Sequence, residues 1–257
     1  MAAIILKTNS MRTIIFIVSV SLIFSSCAKE GTANAPQASS TTGAGGSLAR
    51  FTISGNHLYL ADYRTVEVYD ISNPSATVKQ ASVPVNFVVE TIFPYKDKLF
   101  IGSSNGMFIY SISNPSLPTL VGSATHMRAC DPIVANDSMS YVTLRGGTPC
   151  GPATSGLYIY DIKNLSTPVQ KSLFNLSNPY GLGLKDTVVF VCRGGDGLTA
   201  VNVKNAAAPK TMYTKTGNTF YDVIPYDNLL IAYVSKGIVL YDMSDLNNLV
   251  ELGSYVF

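Results

Sequence analysis

The sequence predicts an all-β fold: a propeller of five blades, each with four antiparallel strands. Three observations predict it. A unit of about 42 residues recurs five times. Apolar residues alternate with period two or form short β-branched runs. No stretch of ten or more residues beyond the N-terminal region has helical periodicity.

The repeat is plainest in one phrase, found at Val66–Asn73, Met107–Asn114, Leu157–Asn164, Leu198–Asn205 and Ile238–Asp245. Its closing Asn or Asp positions are 41, 50, 41 and 40 residues apart. Glycine precedes four of the five copies (Gly106, Gly156, Gly197 and Gly237), and Thr65 precedes the first. In the second copy, Glu90 to Tyr95 reads as the first strand, and Lys96-Asp97-Lys98 turns the chain into Leu99 to Gly102. Ser103 to Gly106 leads into Met107 to Ser113, and the turn Asn114-Pro115-Ser116-Leu117-Pro118 leads into Thr119 to Ser123. The last turn has a mechanism: Asn bonds the backbone two residues on, while Pro fixes φ and removes a donor. The copies run at about 47–85, 86–126, 127–176, 177–217 and 218–257. The chain starts with an inner strand and ends with an outer one, Leu249 to Phe257. Each blade is then one contiguous copy, and apolar packing of the first blade on the last is expected to close the ring.

The period and the phrases Tyr69-Asp-Ile-Ser-Asn-Pro74 and Ile159-Tyr-Asp-Ile162 resemble the LVIVD repeat family of bacterial and archaeal cell-surface proteins. The resemblance covers residues 47–257. It implies a β-propeller at a cell surface and implies no activity.

The N-terminus reads as an address. Ile14 to Phe24 is an apolar run broken only by Ser19 and Ser21. It is too short to span a bilayer, which takes about 20 residues, and suits a signal-peptide core. Arg12 precedes it, so Met11 makes a natural start and residues 1–26 form the signal. Phe24-Ser25-Ser26-Cys27 resembles a bacterial lipobox, with Phe24 where Leu is commoner. Acyl chains on Cys27 would anchor the protein to the membrane. Residues 27–46, the lipidated cysteine and a stretch rich in Gly, Ala, Ser and Thr, read as a flexible tether. Lys29-Glu30 is loosely similar to the surface-export signals of Bacteroidetes lipoproteins. The expected location is the bacterial outer membrane or cell surface, facing periplasm or exterior.

Composition excludes other classes. Hydrophobic residues make up 47% and charged residues 13% of the 257, with a net charge of +2. This is no basic nucleic-acid binder and no acidic disordered tail. Two histidines, His57 and His126, leave little for metal clusters or His-based catalysis, so no cofactor and no metal are expected. His57 reads as a turn residue. With Cys27 assigned to lipid, Cys130 and Cys150 lie at one end of the third copy and are expected to form a disulfide in an exported protein. Cys192, within Val188 to Cys192, reads as a buried inert thiol.

Propellers bind ligands at the channel mouth. Aligning the copies on Leu58, Leu99, Met139, Val188 and Leu229 places Arg50, Thr91, Asp131, Tyr180 and Asp222 in one ring, with Glu90 beside it. Arg64, Arg145, Arg193 and Lys236 follow the second strands and add positive charge. Such a mouth suits a zwitterionic or glycan-like ligand, or a cation, and the expected partner is a glycan, peptide or protein. The expected function is therefore a non-enzymatic binding or scaffolding module. The alternative is a propeller hydrolase or lyase acting on extracellular glycans or lactones, with Asp131 and Asp222 as paired carboxylates.

Overall fold

Period-two alternation becomes strand in every copy. The computed structural model describes residues 45–125, 132–147 and 154–257. Blade 1 holds β1 (Phe51–Ser54), β2 (His57–Asp62), β3 (Thr65–Asp70) and β4 (Val78–Pro84). Blade 2 holds β5 (Val89–Tyr95), β6 (Lys98–Ser103), β7 (Gly106–Ser111) and β8 (Thr119–Thr125). Blade 3 holds β9 (Ile133–Ala135), β10 (Met139–Leu144), β11 (Gly156–Asp161) and β12 (Val169–Asn175). Blade 4 holds β13 (Leu182–Lys185), β14 (Val188–Cys192), β15 (Leu198–Asn202) and β16 (Lys210–Lys215). Blade 5 holds β17 (Phe220–Tyr226), β18 (Leu229–Val234), β19 (Gly237–Asp242) and β20 (Val250–Val256). Each sheet contains four consecutive strands in sequence order, all antiparallel. Every blade is one contiguous copy, and the fold is a five-bladed β-propeller.

The repeated phrase does three physical jobs. Its closing Asn or Asp caps the turn as expected, accepting the amide of the residue two on: Asn73 from Ser75, Asn164 from Ser166, Asn205 from Ala207 and Asp245 from Asn247. Its centre carries a register shift in all five blades, at Val68/Tyr69, Ile109/Tyr110, Ile159/Tyr160, Ala200/Val201 and Leu240/Tyr241. A bulge adds twist, and twist lets neighbouring blades nest. The glycine before it meets the outer strand: a Cβ on Gly106, Gly156, Gly197 or Gly237 would collide with the carbonyl of Ala124, Phe174, Lys215 or Tyr255.

The core is a series of junctions between blades. Tyr59, Val68, Ile92 and Ile101 join blades 1 and 2. Phe100, Ile109, Ile133 and Val142 join 2 and 3. Tyr141, Ile159, Leu182 and Val191 join 3 and 4, while Phe190, Ala200, Phe220 and Leu230 join 4 and 5. Tyrosine hydroxyls reinforce two of these, Tyr59 donating to the Pro115 carbonyl and Tyr213 to that of Leu246, both at 2.9 Å. Burial pushes the Tyr59 hydroxyl pKa up to about 12, so it stays a donor.

The expected closure of blade 1 on blade 5 is corrected. Among the described residues no hydrophobic cluster joins these two blades. β6, β10 and β14 have neighbours on both sides and are buried on both faces from their second residue on. β2 and β18 alternate instead, and Phe51 and Ile53 of β1 are 60% and 46% exposed. Five sheets form, but an arc with a seam between β1 and β17 results.

Candidate functional site

First strands begin at one end of the propeller, here the entry end, and turn at the other. Their last residues are fixed by pairing: Ser54 opposite His57, Tyr95 opposite Lys98, Lys185 opposite Val188 and Tyr226 opposite Leu229. Asn136 plays this part in blade 3, its amide donating to the Met139 carbonyl. Counting back four residues gives one register: Arg50, Thr91, Pro132, Gly181 and Asp222. The expected ring thus slips by one in copies three and four. Tyr180 shares the register of Glu90 and Tyr221, and the physical reason is that Met139, Val188 and Leu229 align with His57 and Lys98, not with Leu58 and Leu99. Cys27, His126, Cys130, Asp131 and Cys150 lie outside the described residues.

Asp222 is the centre of the arrangement. Its carboxylate points at the segment preceding β1. Ser47 Oγ donates to its Oδ1 at 2.9 Å and the Leu48 amide to its Oδ2 at 3.2 Å, while the Val223 amide adds a third bond. Gly46 and Gly181 crowd the same carboxylate so closely that a side chain on either would displace it. The Ser47 hydroxyl also accepts the Leu182 amide at 2.7 Å, and the Ala49 carbonyl accepts that of Ile92. One short segment therefore stitches blades 1, 2, 4 and 5 together inside the channel. Desolvation outweighs these donors and pushes the Asp222 pKa up to about 6. The same carboxylate, after burial itself, raises the pKa of the Cys192 thiol, which is free and buried as the sequence suggested.

The other expected residues separate into two roles. Arg193 is structural: its Nε donates to the Ser177 carbonyl at 3.0 Å, its Nη2 donates to Ser177 Oγ, and it lies 3.5 Å from Asp196. Arg50 donates to the Val89 carbonyl and ties blade 1 to blade 2. Thr91 is buried in β5, with Glu90 half-buried at a register shift. Arg64 lies over its neighbour Tyr63, and Lys236 is exposed. Arg145 and Tyr180, by contrast, come together, the guanidinium lying 4.2 Å from the ring centroid. Tyr180 meets Tyr221 edge-on at 5.7 Å, and Tyr221 meets Tyr233 at 5.7 Å. The result is a strip of three tyrosines along the entry end of blades 4 and 5, with Arg145 of blade 3 against its first ring. Sequence reasoning missed Tyr221 and Tyr233; the available signal was Tyr221 in the register of Tyr180.

At the turn end a 330 Å³ cavity is lined by Gly45, Tyr95, Asn136, Asp186 and Pro225, among others. Among the described residues no three His, Cys, Asp or Glu side chains converge as a metal site.

The blades and the channel define the class: a β-propeller. Residues 45–83 and 97–126 match the LVIVD repeat model, so the chain carries LVIVD repeats. No curated protein matches it. Solved structures share the fold. A protein from Lactobacillus plantarum is 10% identical with a TM-score of 0.60, over 78% of this chain and 68% of that one. The periplasmic gluconolactonase PpgL of Pseudomonas aeruginosa is 13% identical with a TM-score of 0.57, over 79% and 68%. The computationally designed protein Ika8 is 13% identical with a TM-score of 0.56, over 80% of this chain and 60% of its own length. The chain thus spans about two thirds of these proteins.

Proposed function

We propose that this chain is an exported, lipid-anchored binding module that captures glycans at the entry end of blades 4 and 5. The tyrosine strip carries this reading. Tyrosine presents an apolar face to a sugar ring and a polar tip to its hydroxyls, and Arg145 adds a fixed donor beside Tyr180. With the Ser40–Phe257 unit, a glycan array followed by calorimetry is expected to find a ligand. Tyr180→Ala and Tyr221→Ala should each weaken it about tenfold, roughly 1.4 kcal/mol. Tyr63→Ala, at an exposed tyrosine outside the strip, should leave affinity unchanged. Equal loss in all three variants would refute the assignment.

A second reading, hydrolysis of a glycan or lactone, draws on one observation: the Asp222 carboxyl faces the channel, and burial pushes its pKa up to about 6. Turnover by the wild type that is abolished in Asp222→Asn would establish it over the first.

The address belongs to the same proposal: export under residues 1–26, acylation of Cys27, display at the outer membrane, and a bridge between Cys130 and Cys150. Mass spectrometry of the protein from a bacterial membrane fraction, without reduction, should find a diacylated Cys27 peptide and a Cys130–Cys150 peptide, with Cys192 free. Lipid labelling that persists in Cys27→Ser, or Cys192 in the bridge, would sink the corresponding half.

A further inference from the structure

All four junctions between blades are built alike, the far face of one blade packing on the near face of the next. At the junction of blades 4 and 5, Phe190 and Ala200 supply the far face, and Val223, Leu230 and Ala232 the near face, all buried. Strand pairing places Ile231 and Leu240 of blade 5 at the positions of Phe190 and Ala200. It likewise places Phe51, Leu58 and Leu60 of blade 1 at those of Val223, Leu230 and Ala232. The seam therefore exposes the two halves of a fifth junction, in the correct register and with apolar side chains at every one of these positions. Phe51, Ile53 and Tyr226 are exposed, and the others are half-buried.

We propose that these halves meet between two copies of the chain, the far face of blade 5 of one packing on the near face of blade 1 of the other. The argument is continuity: the surface already used four times within the chain is presented once more at each end of the arc. Contiguous apolar patches of this kind mark association sites. The contact is head-to-tail, so each copy contributes two different surfaces.

Sedimentation velocity on the Ser40–Phe257 unit, a compact unit by itself, is expected to show association beyond the monomer that reverses on dilution. Phe51→Asp/Ile53→Asp spoils only the blade 1 face, and Ile231→Asp/Leu240→Asp only the blade 5 face. Each double variant alone should sediment as a monomer with unchanged circular dichroism. Their mixture should form a one-to-one complex through the two intact faces, a result that a like-with-like interface cannot give. If a charge unfolds a blade, Phe51→Ser and Ile231→Ser repeat the test. A wild type that stays monomeric at all concentrations would overturn the proposal, as expected if further repeats or another chain cover the seam. So would a mixture that fails to associate.

Discussion

Gly197→Ala is expected to lower stability by about 2–6 kcal/mol, enough to shift the melting temperature by roughly 5–20 °C. Two effects add. Gly197 has φ of 100°, a backbone conformation that costs an L-residue about 1–3 kcal/mol. Its missing Cβ also makes room for the Lys215 carbonyl of the outer strand, and overpacking typically costs another 1–3 kcal/mol. Blade 4 has neighbours on both faces, so β15 and β16 cannot separate to relieve the clash. Gly195 supplies the control two residues away. A Cβ there meets nothing within 4 Å, so Gly195→Ala should change stability by less than about 0.5 kcal/mol. Urea titration of both variants reads the difference; equal midpoints would show that the recurring glycine is not needed for the close approach.

That glycine was legible because it recurs at a fixed place before the same phrase, and its cause is local to one blade. The Asn and Asp turn caps and the buried Cys192 were legible for the same reason. The first-strand register was harder to read. Two-residue turns at Gly55-Asn56 and Lys96-Asp97 are followed by His57 and Lys98, which look like turn residues but already pair in the ladder. Counting from the first leucine therefore left Asp131 and Tyr180 one position before the register of Arg50, Thr91 and Asp222, hid the partnership of Tyr180 with Tyr221, and spread the candidate ring over two registers. The seam was illegible for another reason. Phe51, Leu60, Ile231 and Leu240 alternate just as their buried equivalents do, so the local pattern carries no sign of whether a neighbour is present. The role of Gly45 to Leu48 also escaped, because a Gly- and Ser-rich stretch carries no apolar pattern; only the carboxylate of Asp222, 174 residues from Leu48, gives it a partner.

The pairing of Asp222 with this segment sets the second large expectation, a stability that falls as pH rises. Burial holds its folded pKa near 6, against 3.8 for the free side chain. Between these values the folded protein binds more protons at this site than the unfolded chain does, so unfolding free energy decreases with pH. The loss begins near pH 4, is complete a little above pH 6, and amounts to roughly 2–3 kcal/mol. Other carboxylates slope the opposite way at lower pH: hydrogen bonds from Lys96 and Lys98 hold Asp137 and Asp97 below the usual range, and those from Asn178 and Ser177 do the same for Asp196. The wild-type curve alone therefore mixes both signs, and the informative quantity is its difference from Asp222→Asn. Asparagine keeps one oxygen for Ser47 and Val223, turns an amide group towards the Leu48 N–H, and does not titrate. Urea midpoints measured from pH 3.5 to pH 8 should show the wild type losing ground to the variant through the window from about 4 to 6, with a constant difference above it. A difference that stays flat across that window would mean that the Asp222 carboxylate remains hydrated, and that Ser47 and Leu48 do not enclose it in solution.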